Sequence, residues 1–221
     1  MLQIRNLSKT YKVAKVEVHA LHNITLEIEH NEFIAIVGPS GSGKSTLMQM
    51  IGGIDKPTSG EISVNGKNIA ELNDSQLSEY RNLTIGFIFQ MFYLQNYLTV
   101  LENIQVPLFF RNITKSTREL MAIEVAKQVG IADRLNHLPK ELSGGQMQRV
   151  AIARAIVGKP QIILADEPTA NIDRTNSDEV MKLFRKIHNE SNSTIIIVTH
   201  DEKIAESCDR IIRIEDGKLT T

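Results

Sequence analysis

The sequence predicts an α/β fold: a mostly parallel sheet, an added antiparallel β layer near the N-terminus, and a helical insert around residues 91–155. Three observations predict it. The strongest apolar runs, "FIAIV", "IILA" and "TIIIV", are short, continuous and rich in β-branched residues, as strands are when helices cover both faces of their sheet. After Pro160 such strands alternate with helical spacing, in the order "IILA", helix Asn176–His188, "TIIIV", a further helix, and "RIIRI". Between Val100 and Ile156 the apolar residues instead recur at helical intervals, as in "ELMAIEVAKQVGI", with breaks near Pro139 and at Gly144-Gly145.

The opening third reads as strands at Leu2–Asn6, Ile24–Glu29 and Phe33–Val37, then a helix from near Lys44. "GEISVNGKNI" is a hairpin signal, with Asn65-Gly66 at its turn, and "TIGFIFQ" is a strand over Thr84–Gln90. "MLQIRNLSKTYKV" alternates, is charged and lacks an apolar stretch, so it reads as a first strand and not as a signal peptide. Repeats, low-complexity tracts and linker-like composition are absent. The expectation is one domain over 1–221, its core formed by 1–90 and 156–221 around the helical segment.

Composition narrows the function classes. The 25 basic and 26 acidic residues give a net charge of −1, so nothing in the charge calls for nucleic acid. Cys208 is the only cysteine, which excludes an internal disulfide framework and suits a reducing compartment. The apolar runs fall far short of the roughly 18 residues that span a bilayer. Any membrane role is therefore expected to be played from outside the lipid.

"GPSGSGKST", Gly38 to Thr46, fits G-x-x-x-x-G-K-[ST] at Gly38, Gly43, Lys44 and Ser45. The bare pattern arises by chance in about one chain in a hundred of this length. Here a buried strand runs into it and an apolar-patterned helix, "STLMQMI", leaves it, which is the context phosphate binding requires. Gly38, Pro39, Ser40, Gly41, Ser42 and Gly43 let the backbone wrap so that N–H groups point inward, beside a helix N-terminus of partial positive charge. Lys44 can reach the outer phosphates, the Ser45 hydroxyl can hold Mg²⁺, and Thr46 completes the loop.

"IILADEP" ends a buried strand on Asp166 and Glu167, where α/β sheets bind their ligands. Alone, such carboxylates are most often a solvated strand end. Beside a phosphate loop, Asp166 can orient Mg²⁺ through its water shell, and Glu167 can polarise a water against the γ-phosphate. "STIIIVTHDE" brings His200 out at the same sheet edge, within reach of that phosphate or water. The other five histidines have no such placement.

"LSGGQMQRVAIARAI", Leu142 to Ile156, is the most discriminating segment. A five-residue match to "LSGGQ" occurs by chance about once in a million positions. Ser143, Gly144, Gly145 and Gln146 open a helix and form a second anion site. A merely capped surface helix is expected to leave the glycine pair and the glutamine without a reason.

These segments together resemble the nucleotide-binding subunit of ATP-binding-cassette (ABC) transporters, over essentially the whole chain. The resemblance implies a P-loop NTPase (RecA-like) core, ATP and Mg²⁺ as ligands, and catalysis by Glu167, His200 and Lys44. It implies that Tyr11 stacks on adenine by its ring, that Gln90 senses Mg²⁺ and the attacking water, and that Asp173 in "TANID" crosses a dimer interface. In the family two subunits pair head-to-tail, enclosing each ATP between the P-loop of one and Ser143 of the other. The implied partners are a second copy or a paralogous subunit, and a separate transmembrane permease reached from the cytoplasmic face of the membrane. Ile172 stands where the family more often has leucine.

"FIFQMFYLQNYLTVLENIQVPLFF" is similar to the branch that holds lipoprotein-release, macrolide-export and antimicrobial-peptide-resistance ATPases, together with a cell-division relative. Of eleven Phe and Tyr residues, seven lie between Phe87 and Phe110. Phe87 and Phe89 are expected in the core. Phe92 and Tyr93, in a stretch too irregular for a strand, are expected in a groove for the membrane subunit. Soluble relatives in DNA repair or translation usually carry long insertions, for which 221 residues leave no room. A P-loop kinase or GTPase would leave "LSGGQ" unexplained, and the sequence has no N-K-x-D guanine-reading motif.

Overall fold

A computed structural model describes residues 1–14 and 16–220. Its centre is a six-stranded sheet made of β3 (Phe33–Val37), β6 (Ile85–Ile88), β7 (Ile162–Asp166), β8 (Thr194–Thr199), β9 (Arg210–Glu215) and β10 (Lys218–Thr220). The order is β10-β9-β3-β8-β7-β6, with only β10 antiparallel to its neighbour. A second, antiparallel sheet has the order β2-β1-β4-β5, from β1 (Leu2–Val13), β2 (Val16–Ile28), β4 (Ser59–Val64) and β5 (Lys67–Asn68). The hairpin between β4 and β5 turns on Asn65 and Gly66, both at positive φ, as the Asn-Gly signal requires.

Both faces of the central sheet are buried, and alternation along each strand divides the core in two. Ile34, Ile36, Ile162, Leu164, Ile196 and Val198 pack toward the antiparallel layer and α1 (Lys44–Ile51). Phe33, Ile163, Ala165, Ile195 and Ile197 pack with the helices α3 (Val100–Gln105), α4 (Lys115–Gln128), α5 (Gly144–Ile156) and α6 (Arg174–Glu190). Successive strand residues point to opposite faces, so a continuous apolar run serves both clusters.

β1, β2 and α2 (Asp74–Thr84) differ from the sequence expectation. β1 and β2 run well past Asn6 and begin well before Ile24, because bulges between Ile4 and Thr10 shift the register and break the alternation. Asn6 and Asn23, at φ 49° and 50°, sit within these irregular stretches. α2 was not anticipated, because only Leu77 and Tyr80 are buried along it and its apolar stripe is thin. Its start is nevertheless written in the sequence: Asn73 and Gln76 form a capping box.

Register brings the candidate motifs to one edge. Val37 pairs with Thr199, and Asp166 pairs with Val198. The loop after β3, the carboxylates at the end of β7 and His200 after β8 therefore leave the sheet side by side. Among the described residues no helix is long and apolar enough to cross a membrane.

Candidate nucleotide-binding and catalytic site

The loop 38–43 feeds directly into α1, whose N-cap is Gly43 at φ 103°. The carbonyl oxygen of Ala20 on β2 lies where a Cβ on this residue would stand, so both conformation and space demand glycine. Gly43 has no side chain, and α1 has no side-chain cap; α2 to α6 and α7 (Glu202–Glu206) are all capped by Asn, Thr, Ser or Asp. The first N–H groups of a helix have no intrahelical acceptor. At α1 these are the amides of Lys44, Ser45 and Thr46, while Leu47 already donates to Gly43 O. Lys44 is buried, and its ammonium donates to the carbonyls of Gly38 and Pro39 at 2.8 Å each. The Ser42 hydroxyl is buried without a protein partner. A helix end with free donors, a held cation and an orphaned hydroxyl fits a polyphosphate.

Across from the loop, Ser45 Oγ donates to Asp166 Oδ1 at 3.2 Å. Burial pushes the Asp166 carboxyl above its ordinary pKa, against the Ser45 hydrogen bond; the charge of Glu167 adds to the rise and Lys44 opposes it. Glu167 is the next residue and sits at φ 45°, a left-handed conformation costly for a side chain of this kind. Its backbone N–H is tied to Val198 O at 2.8 Å. Its carboxylate is held at both oxygens, by Thr199 Oγ1 at 3.2 Å and by His200 Nδ1 at 2.8 Å. An ionised carboxylate only accepts, so Nδ1 carries the histidine proton. Thr199 was not singled out from sequence. Its place as the last residue of β8, directly before His200, was the available signal.

Tyr11 lies on β1, in the layer that touches Gly43 through Ala20. Its hydroxyl donates to Asp55 Oδ2 at 3.0 Å, and Lys9 Nζ sits 4.7 Å from its ring centroid while pairing with Asp55 at 2.8 Å. The hydroxyl thus has a partner that sequence did not announce. Burial raises the Tyr11 pKa, and Asp55 adds to it. Burial alone would raise Asp55 too, but Lys9, the Lys56 N–H and Tyr11 together hold it below its ordinary value.

The Ser143–Gln146 turn opens α5. Ser143 Oγ accepts from Gln146 N–H at 3.3 Å, and Gln146 Oε1 accepts from Ser143 N–H at 2.9 Å. This corrects one expectation: the glutamine has a local reason, as the second half of a capping box. The glycine pair has one as well. A Cβ on Gly145 would stand 2.7 Å from Asn176 Oδ1, and one on Gly144 would stand 3.3 Å from Asn171 O. Asp173 caps α6, accepting from Asn176 N–H at 3.0 Å. Gln90 is exposed just beyond β6, and its carbonyl accepts from Asn171 Nδ2 at 2.8 Å. Among the described residues no hydrogen bond joins Ser143–Gln146 to the loop 38–46. The structure thus gathers Gly38–Thr46, Asp166, Glu167 and His200 into one site and leaves Ser143–Gln146 outside it.

A cradle, a held carboxylate and a serine-capped glycine helix on one chain leave the family to be tested by comparison. The family described as ABC transporter matches residues 21–170. The uncharacterised ABC transporter ATP-binding protein YvrO of Bacillus subtilis is 47% identical over 99% of this chain and 95% of its own length. The lipoprotein-releasing system ATP-binding protein LolD of Geobacter metallireducens is 43% identical, over 99% and 97%. The dimeric structure of the ATP-binding cassette MJ0796 in a post-hydrolysis state, bound to ADP and Pi, superposes with a TM-score of 0.93 at 42% identity, covering 100% of this chain and 97% of that one. The MJ0796 protein is from Methanocaldococcus jannaschii.

This chain is an ABC transporter ATPase.

As such it is an ATP-binding, ATP-hydrolysing subunit, and its residues can be tested against the metal that accompanies ATP. Among the described residues no group of three or more His, Cys, Asp or Glu side chains could hold a metal by itself. What the ATPase offers is the hydroxyl of Ser45 hydrogen-bonded to the carboxylate of Asp166, both hard oxygens. That sparse set fits Mg²⁺, which keeps most of its waters and is held by one or two protein oxygens plus phosphates.

Proposed function

We propose that this chain hydrolyses Mg-ATP between two copies of itself, or between itself and a paralogue, and so drives a separate permease in the membrane. The observation that carries the reading is α1, among the described residues the one α-helix without a side-chain cap, whose Ser45 reaches Asp166 beside a glutamate held at both oxygens by Thr199 and His200. The amides of residues 43–46 receive the β- and γ-phosphates, and Lys44 swings from the Gly38 and Pro39 carbonyls to the phosphate oxygens. Tyr11 stacks on adenine. Ser45, Asp166 and Gln90 would hold Mg²⁺, Asp166 through water, where the ion would supply positive charge against the outer phosphates. Glu167 accepts a hydrogen bond from the attacking water and orients its lone pair on the γ-phosphorus. As the water oxygen bonds to that phosphorus its proton passes to Glu167, the bond from the phosphorus to the bridging oxygen breaks, leaving ADP and phosphate, and His200 steadies Glu167 and the departing phosphate. Ser143, Gly144, Gly145 and Gln146 close over the nucleotide of the other copy, with Asp173 at the seam.

The partner side rests on the groove beside β6, a cavity of about 440 Å³ lined by Phe87, Phe89, Tyr93, Pro107 and Phe110 among others. Similarity to the lipoprotein-releasing LolD supports release or export of a lipid-linked, peptide or drug-like substrate, from a position on the cytoplasmic face of the membrane.

Glu167→Gln keeps the shape but not the charge that polarises water. ATP binding should persist while turnover falls by about 10²–10⁴. An ATP-stabilised dimer should then appear on size-exclusion chromatography. Undiminished turnover would remove Glu167 from the mechanism.

A further inference from the structure

Gln90 makes no side-chain hydrogen bond among the described residues, so its backbone decides where its amide stands. That backbone belongs to no helix or strand: β6 ends at Ile88, and among the described residues no turn or loop main-chain hydrogen bond involves residues 90–94. Two side chains hold it instead. Asn171 Nδ2 donates to Gln90 O at 2.8 Å, while Arg154 donates to Phe92 O at 2.7 Å and to Tyr93 O at 2.6 Å. Tyr93 sits at φ 47°, a conformation that persists only where its surroundings impose it.

The two anchors come from the two halves of the chemistry. Asn171 lies between Glu167 and Asp173, and its carbonyl oxygen packs against Gly144 at the start of α5. Arg154 lies near the far end of α5 itself, the rigid helix that Ser143 caps. We propose that Asn171 and Arg154 are positioning residues, which fix Gln90 in register with Glu167 on one side and with the Ser143 helix on the other. Their consequence is that residues 90–93 move only when the loop 167–173 or α5 moves. Nucleotide closure and the aromatic groove are thereby joined through main-chain carbonyls, a link that side-chain motifs do not reveal. The inference rests on the reading of Gln90 as the group that meets metal and water.

The test is a cycle of Asn171→Ala and Gln90→Ala in the full chain, with limited proteolysis by chymotrypsin and steady-state ATPase as readouts. In Asn171→Ala, cleavage after Phe92 and Tyr93 should quicken about five- to tenfold, the loss of one hydrogen bond, with cleavage elsewhere unchanged. Turnover should fall about tenfold with KM for ATP unchanged, and half-saturation by Mg²⁺ should rise at least threefold. In the Gln90→Ala background the same substitution should cost no further turnover, because the group being positioned is already gone. An equal loss of turnover in both backgrounds, or unchanged cleavage at Phe92 and Tyr93, would overturn the proposal. If the wild-type chain showed no Mg²⁺-dependent hydrolysis, the reading of the site would fail, and the cleavage data alone would decide whether Asn171 holds the segment.

Discussion

The Tyr11 ring has one face approached by the Lys9 ammonium and its hydroxyl fixed by Asp55, so a planar base is left the opposite face. Stacking on an aromatic is worth about 1–3 kcal/mol per base, so Tyr11→Ala should raise KM for ATP roughly tenfold with kcat unchanged. Tyr11→Phe keeps the face and loses the hydroxyl contact, and should raise KM no more than about threefold. Steady-state kinetics on the two variants separates these effects; equal losses would make the hydroxyl the working group. Lys9, the Lys56 N–H and the Tyr11 hydroxyl hold the Asp55 pKa below its ordinary value in the folded chain, against the effect of burial. Its contribution is therefore complete above that value and is lost as pH falls through the lower one. Sequence showed Tyr11 only through family resemblance and showed Asp55 not at all. The partners are 44 residues apart and no local pattern connects them. Glu167, in contrast, was legible, because a carboxylate ending a buried apolar strand beside a phosphate loop has few other readings.

Among the elements, α1 was legible through the G-x-x-x-x-G-K-[ST] spacing that leads into it, and the structure adds that it alone of the described α-helices lacks a side-chain cap. In contrast, α2 hid behind a mostly polar surface although "NDSQ" carries its capping box. The groove beside β6 refines the aromatic expectation. Phe87 and Phe89 stack at 5.3 Å, and Phe89 meets Tyr93 edge-on at 5.5 Å, so these rings form a wall. Phe92 is half-buried and is not among the lining residues, whereas Phe110 is 79% exposed at the rim. Phe110 is thus the most exposed of the aromatic side chains that line the groove. Phe110→Ala should leave the melting temperature and basal ATPase of the free subunit unchanged and weaken pull-down of a co-expressed permease. Interface aromatics of this kind often cost about 2 kcal/mol or more when truncated. A lowered melting temperature with assembly intact would make this ring part of the fold.

At the scale of the molecule, strand order and register place every phosphate-side residue on one sheet edge, and this much followed from buried strands alternating with helices. The antiparallel layer was only partly legible, because bulges hide the length of β1 and β2. In the proposed dimer the Ser143 turn completes the site of another copy. Removing its cap would confuse folding with function, since losing such a cap costs about 0.5–2 kcal/mol. Ser143→Asp avoids this: aspartate caps a helix as well as serine does, but sets a negative charge against the phosphates. Lys44→Ala disables the cradle instead. Each variant alone should be inactive. An equal mixture, exchanged into dimers, contains one intact site in each mixed pair, between the cradle of the first variant and the Ser143 turn of the second. Random pairing then restores about a quarter of wild-type ATPase activity. An inactive mixture of two folded, dimer-competent variants, or full activity in Ser143→Asp alone, would contradict a site shared between copies.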